Sequence, residues 1–199
     1  METFDPHHQS RHIESKIVVA LERISEAFKV LLWKKGKEYG LTPLQLQLLL
    51  FVRFHPPEKS KVNYLAREFN VAKATISETV RLLGKKELIT RMRDPGDSRS
   101  YSIHLSETGL ELVSKISDFA SVIEAPLKDM PQSRKEAFFH ELYYLISRLS
   151  SDGVISVNRM CVSCKFFERS ENGTYCRFLE KVLSPGDHRI DCPEHQPVG

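Results

Sequence analysis

No cysteine occurs in the first 160 residues of this 199-residue chain; all four come later, at Cys161, Cys164, Cys176 and Cys192. A disulfide framework in the main body is therefore excluded. No uninterrupted apolar run approaches the ~20 residues that a membrane-spanning helix needs. The opening stretch METFDPHHQSRHIESK is polar and lacks the apolar centre of a secretory signal. A cytoplasmic location with no membrane partner is expected. No internal repeat or low-complexity tract occurs. No nucleophile–base pair, phosphate loop or paired-carboxylate motif stands out, so the chain does not read as an enzyme. Neither sign of charge dominates, since the net charge is only +3.

The charge that is present is unevenly placed. Between Lys59 and His104 stand ten basic side chains against five acidic ones, so this segment carries the whole positive excess. A locally basic segment suits a polyanion. Charge alone would equally fit a solvated face, so the pattern of apolar residues has to decide.

That pattern is helical over most of the chain. From about Ser10 to Tyr39, Ile13, Ile17, Leu21, Ile24, Phe28 and Leu31 recur at three- and four-residue steps. One long helix follows, long enough to pack against a partner subunit as well as its own domain. Gly40 ends it. Thr42, Pro43 and Gln45 form a helix start with a capping box, and Pro56 and Pro57 stop that helix. Val62, Leu65, Ala66 and Phe69 predict a short helix beginning near Ser60, and Asn70-Val71 a tight turn. Ile76, Val80 and Leu83 then line the inner side of a second helix, whose outer side shows Lys73, Thr75, Ser77, Glu78 and Arg81. Two short helices joined by a tight turn, the second polar and basic outside, make a helix-turn-helix.

The period then changes. Leu88, Ile89 and Met92 predict one strand; Tyr101, Ile103 and Leu105 predict a second. The turn-rich run Asp94-Pro95-Gly96-Asp97-Ser98 sits between them. A basic hairpin directly after a helix-turn-helix is a wing. Ser106 caps a further helix through Ile123, Pro126 and Pro131 bracket a break, and a last helix carries Phe138, Leu142, Leu145 and Leu149. The expected class is mainly α with a small β-hairpin wing. Residues 1–150 form the DNA-binding and dimerisation domain, and 151–199 a cysteine-rich module.

Over Arg11–Leu149 the chain resembles the MarR family of winged-helix transcription regulators. The resemblance rests on GLTPLQLQLL, on LAREFNVAKATISETVRLLGKKELITR and on DPGDSRSYSIHLSETG, in that order. It implies a homodimer whose terminal helices intertwine, and two winged helices on one palindromic DNA operator, typically as a repressor. By position, Lys73, Ala74, Thr75, Ser77, Glu78 and Arg81 fall on the recognition helix, Arg99 on the wing arginine and Asp97 on the acid that supports it. The resemblance also implies a small-molecule effector between the dimer helices and the winged domain, where Trp33, Tyr39 and Phe54 are candidates; core packing explains them as well. Two departures stand out. Ala72 takes the usual capping position of the recognition helix, and Glu87 stands where a Gly usually ends it, with Gly84 inside the helix.

The cysteines follow a C-x2-C, x11, C, x15, C spacing. About forty residues with only Phe166, Phe167, Phe178, Leu179 and Val182 as a core need a staple. In a reducing compartment, CxxC spacing reads as metal or redox chemistry before disulfides. Four thiolates suit Zn2+. The alternative is an iron–sulfur cluster, and Cys192-Pro193 has the form common at the end of cluster motifs. Asp187, His188, Asp191 and His195 lie close in sequence, either supporting the ligands or exposed. The alternatives to a DNA-binding regulator are a winged-helix protein-interaction module and a small iron–sulfur redox protein.

Overall fold

The computed structural model describes residues 3–94, 97–170 and 173–198; of residues 94 and 97–99 it describes the backbone only. A short turn of helix, α1 (Pro6–Gln9), is capped by the Asp5 side chain. The long helix α2 runs Ile13–Glu38, and Gly40 follows at φ +61°, the left-handed conformation that terminates it. The sequence predicts one helix from Ser10; the break at Ser10–His12 separates α1 from α2 instead.

α3 spans Pro43–Phe54, and its capping box forms as predicted: the Thr42 hydroxyl accepts from the Gln45 N–H while the Gln45 side chain accepts from the Thr42 N–H. Leu46, Leu48 and Leu49 are completely buried, which makes α3 the central post of the core. A 3-10 turn at Pro57–Lys59 precedes α4 (Val62–Glu68). Ser60 therefore does not open α4. It is buried in the turn, and its carbonyl accepts the Ile103 N–H at 2.9 Å, which ties the wing to this segment. Asn70, at φ +50°, makes the tight turn into α5 (Lys73–Lys85).

The wing is the antiparallel pair β1 (Ile89–Asp94) and β2 (Asp97–Leu105), in register from Ile89 opposite Leu105 to Arg93 opposite Tyr101. Ile89 and Ile103 bury their side chains. Met92, one of the residues that predict β1, lies on that strand and is 57% exposed.

α6 (Glu107–Ile116) begins at Ser106, whose hydroxyl accepts from the Gly109 N–H at 3.0 Å. Gly109 is required there because an added Cβ would lie 2.0 Å from the Leu88 carbonyl oxygen. The single helix predicted from Ser106 through Ile123 is broken at Ser117–Ala120 and resumes as α7 (Ser121–Lys128). Pro126 lies inside α7 rather than ending it. At the sixth position of α7 it cannot supply the N–H that the Val122 carbonyl would otherwise accept, so this short helix forgoes that bond. α8 (Gln132–Ser151) closes the helical part.

The remainder is a small three-stranded antiparallel sheet, β3 (Phe167–Ser170), β4 (Gly173–Cys176) and β5 (Lys181–Leu183), with β4 central. None of these strands was predicted. Their side chains also sort differently from the expected core: Leu183 is 6% exposed and Val182 65%. In a strand adjacent residues face opposite ways, so only one of the pair can point inward.

Much apolar surface stays uncovered within one chain. On α2, Ile13, Ile17, Ile24 and Phe28 recur on one side and are exposed, and only Ser15, Leu32 and Gly36 are buried. Val122 of α7 and Phe138 and Tyr144 of α8 are exposed as well. No helix among the described residues is long and apolar enough to cross a membrane.

Candidate functional site

The second helix of the helix-turn-helix sorts its side chains as the spacing predicts. Ile76, Val80 and Leu83 are fully buried against α3 and α4, whereas Lys73, Ala74, Thr75, Ser77, Glu78 and Arg81 face solvent. Thr79, the remaining member of the inner side, is buried and gives its hydroxyl proton to the Thr75 carbonyl at 2.8 Å. Two of the outward side chains, Lys73 and Ser77, border a groove of about 550 Å3 that Lys61 at the start of the first helix, Tyr64 and Arg67 on it, Tyr101 of the wing and the acidic Glu58 also line. Cations from both helices thus flank one concave surface, which attracts a polyanion. Arg91 stacks its guanidinium 5.1 Å above the Tyr101 ring and stiffens the wing side of the groove.

Arg81 is not idle. Its guanidinium holds the Glu78 carboxylate through two N–H groups, Nε at 2.7 Å from Oε2 and Nη2 on Oε1. The hydrogen bond from Arg81 keeps Glu78 below the usual carboxylate range, and the same bond pushes Arg81 up. Both side chains are about half exposed, so the pair is screened and readily traded for another anion. Asp97 and Arg99 stand on β2 next to the wing turn, and their side chains lie outside the described residues.

Both departures at the recognition helix are visible. Ala72 caps α5 with no side-chain hydrogen bond. Glu87 adopts φ +58° to receive the end of the helix, a conformation that costs any residue with a Cβ about 1–2 kcal/mol. Lys86 Nζ donates to the Gly40 carbonyl at 3.1 Å and ties this end of α5 back to the end of α2.

The four cysteines come together. None is in a disulfide, and all four border one cavity of about 20 Å3 that Phe166, Phe178 and Leu183 also line. Cys161 and Cys164 are buried; Cys176 ends β4, and Cys192 opens a turn through Pro193 and Glu194, its carbonyl accepting the His195 N–H at 3.2 Å. Burial pushes the Cys161 thiol up and the other three thiols push it further, while the Arg189 N–H, 3.2 Å from its Sγ, opposes them. Arg189 also places Nη1 3.8 Å from the Cys192 Sγ. The spacing predicts ligands of one ion. Among the described residues no three His, Cys, Asp or Glu side chains are grouped as an ion's ligands; the thiols share a cavity instead.

The polar residues near the cysteines are engaged elsewhere. Asp187 caps the 3-10 turn at Pro185–Asp187 through Ser184 and pairs with Lys181 at 2.6 Å, which holds its carboxyl well below the usual range. His188 lies 3.0 Å from the Thr174 hydroxyl and packs on Tyr143. His195 lies 2.9 Å from the Ser163 hydroxyl. Burial holds both His188 and His195 below the usual imidazole range. Tyr143 itself, buried on α8, accepts the Val162 N–H at 3.1 Å, and burial pushes its phenol up to about 12.

Arg159 forms a buried junction that the sequence did not reveal. It is buried, and it grips both Glu68 of α4 and Asp191 with two N–H groups each. Nη1 also donates to the Tyr64 hydroxyl at 3.0 Å, and the guanidinium sits 5.4 Å over the Phe51 ring. Burial works against its charge, but the hydrogen bonds to Glu68, Asp191 and Tyr64 outweigh that and hold it far above the usual value. Asp191 lies 2.8 Å from Nε2 of His55, the residue that caps α3; burial raises this carboxyl, and its bonds to His55 and Arg159 bring it well below the usual range. The only local signal was charge at positions 159 and 191, which in a sequence looks like any solvated pair.

Trp33 and Phe54 are 61% and 66% exposed, and Tyr39 borders a separate cavity of about 300 Å3 with Lys86, Leu88 and Leu112.

Comparison with known proteins supports this architecture. Residues 39–100 match the model of the MarR family, a span from the end of α2 to the wing. Over 85 residues the chain is 32% identical to an uncharacterized HTH-type transcriptional regulator, YhbI, of Bacillus subtilis (strain 168). That alignment takes in 41% of this chain and 55% of the relative, so the chain spans about half the length of the curated relative it matches. Among solved structures, S. aureus MepR in its DNA-binding conformation aligns with a TM-score of 0.59 at 24% identity, over 67% of this chain and 98% of that one. The S. aureus MepR-DNA complex gives 0.58 at 24%, over 66% and 97%. A MarR transcriptional regulator from Methanosarcina mazei Go1 gives 0.57 at 20%, over 66% and 94%. The fold is that of these winged-helix regulators.

Proposed function

We propose that this chain is a DNA-binding transcription regulator that acts as a homodimer on a palindromic operator, as a repressor, with a metal held by its four cysteines. The observation that carries the reading is the outward row of α5, Lys73, Thr75, Ser77 and Arg81, presented over an apolar inner side, with Lys73 and Ser77 bordering a groove that Lys61 and Arg67 also line. A helix offering hydroxyls and cations in this way fits the major groove, where such groups meet base edges and phosphates. Arg81 exchanges Glu78 for the DNA. Glu78 then either accepts from a cytosine amine or repels wrong sites. The wing, with Arg99 and its neighbour Asp97 on β2, reaches the adjacent minor groove. That S. aureus MepR has been seen with DNA on the same fold supports this reading.

The homodimer covers the apolar row of α2 together with the exposed apolar residues of α7 and α8. A patch this extended is not left to solvent in a stable monomer. Two-fold symmetry then sets two copies of α5 about one helical turn of DNA apart, which is why the operator is a palindrome. An effector would enter between the dimer helices and the winged domain, at the cavity beside Tyr39.

At the cysteines, four thiols on one cavity support a thiolate centre. It holds Zn2+, or an iron–sulfur cluster in its place, and staples a module whose own core is too small to fold unaided. The Arg189 N–H directed at the Cys161 Sγ is the kind of bond that stabilises a metal-bound thiolate.

Selection of bound duplexes from a randomised DNA pool, with sedimentation analysis of the full chain, tests the first part. An inverted repeat and a dimer are expected. Failure to enrich any duplex would leave the fold as a protein-interaction module. Metal analysis with a visible spectrum tests the second part: one colourless zinc per chain, or iron and sulfide with a brown colour. Neither metal nor sulfide would end the metal reading.

A further inference from the structure

We propose that the cysteine centre controls DNA affinity through the Arg159 clamp, so that its occupancy is read by the helix-turn-helix. The inference rests on the reading of the chain as a DNA-binding protein with a thiolate metal centre.

The two ends of the cysteine module meet at the clamp. Arg159 stands two residues before Cys161, and Asp191 immediately before Cys192. Their backbones form a parallel bridge. The Cys192 N–H donates to the Arg159 carbonyl at 3.1 Å, and the Cys161 N–H to the Arg189 carbonyl at 3.2 Å. The first and last cysteines are thus laced together by Arg159 of the clamp and by Arg189, two residues before the clamp's Asp191. The loop between them is about thirty residues with little core, and closing such a loop is entropically unfavourable unless its ends are held. Four thiolates on one metal centre hold them.

The far side of the clamp is the DNA-binding domain. Glu68 is the last residue of α4, and Tyr64 lies one turn before it on the same helix. α4 has seven residues and fully buries only Leu65, so it depends on external contacts for its seat. It borders the basic groove through Lys61 and Arg67 at its two ends and packs directly on α5. Asp191 adds a second attachment through His55 at the end of α3. With the centre filled, Arg159 is presented to Glu68 and Asp191 together. With the centre lost, the bridge opens, Asp191 leaves, and Glu68 loses the arginine that fixes α4. α5 then loses the fixed register on which base contact depends, and DNA binding weakens.

The test uses the full chain with the metal it carries after purification, a duplex selected from a randomised pool, and the same protein after treatment with a metal chelator. Glu68→Gln is the decisive variant, since it cuts the link on the α4 side and leaves Asp191 and every cysteine in place. In the natural chain, metal removal is expected to weaken duplex binding at least about fivefold, the lower end of ordinary coupling between sites. In Glu68→Gln, metal content is expected to be unchanged and affinity the same before and after chelation, close to that of the stripped natural chain. Arg159→Lys, which keeps the charge but loses the double fork, is expected to show the same lost response. Unchanged or tighter binding by the stripped natural chain overturns the coupling while leaving the DNA-binding reading intact. An equal response in the natural chain and Glu68→Gln overturns the clamp as its route. Absence of duplex binding in every state, or of any metal, would fail the underlying reading and the inference with it.

Discussion

Replacing Arg159 by Met is the most informative single change for stability, because methionine keeps an unbranched apolar stem and removes the guanidinium. The side chain of Arg159 is 9% exposed and that of Glu68 17%, so Glu68 would be left as a carboxylate shielded from water with no cation. Breaking a buried pair in this way costs about 3–5 kcal/mol. The Asp191 side chain is 43% exposed, so water takes over much of that half of the clamp. The lower end applies, about 3 kcal/mol. For a chain of this size that corresponds to a fall in thermal midpoint of about 6–12 °C. The assay is circular dichroism melting of the full chain at fixed metal content. Arg159→Met combined with Glu68→Gln should recover part of the loss, because the stranded charge is gone. A loss below about 1 kcal/mol, or a double variant whose cost is the plain sum, would refute the assignment of the clamp as a buried, coupled network.

Three further outcomes are expected. Gly84→Ala should raise stability by about 0.4–1 kcal/mol in urea unfolding, because nothing lies within 4 Å of the added Cβ in the last turn of α5; a loss would show the glycine to be needed. Glu87→Gly should also stabilise, by about 1 kcal/mol, by relieving the φ of +58°, and a neutral result in the same unfolding assay would place the strain elsewhere. Gly109→Ala should destabilise by about 1–3 kcal/mol or more, since its Cβ would meet the Leu88 carbonyl at 2.0 Å; an unchanged thermal midpoint would contradict the packing of α6 on the base of the wing.

Local chemistry was legible where a residue acts on its near neighbours. The capping box at Thr42, the Ser106 cap with Gly109, and the split of α5 into a buried and an outward side all depend on groups three or four positions apart. The same rules fail at α6 and α7, where the apolar spacing runs on through Ile123 while the chain breaks at Ser117–Ala120. Ser117 gives its hydroxyl proton to the Ser114 carbonyl, a side-chain contact that competes with helix continuation and that periodicity does not weigh.

By itself the sequence determined the winged helix, its outward residues and the presence of four thiols near the chain's end. Each follows from spacing along the chain, which sets the face of a helix or strand directly. Tertiary structure alone decided that Leu183 and not Val182 enters the core of the cysteine module, that the thiols share one cavity, and that Arg159 reaches back 91 residues to Glu68 and forward 32 to Asp191. A buried charge is tolerated only with its partners in place, and partners that far apart leave no periodic trace in the sequence; the fold brings them together.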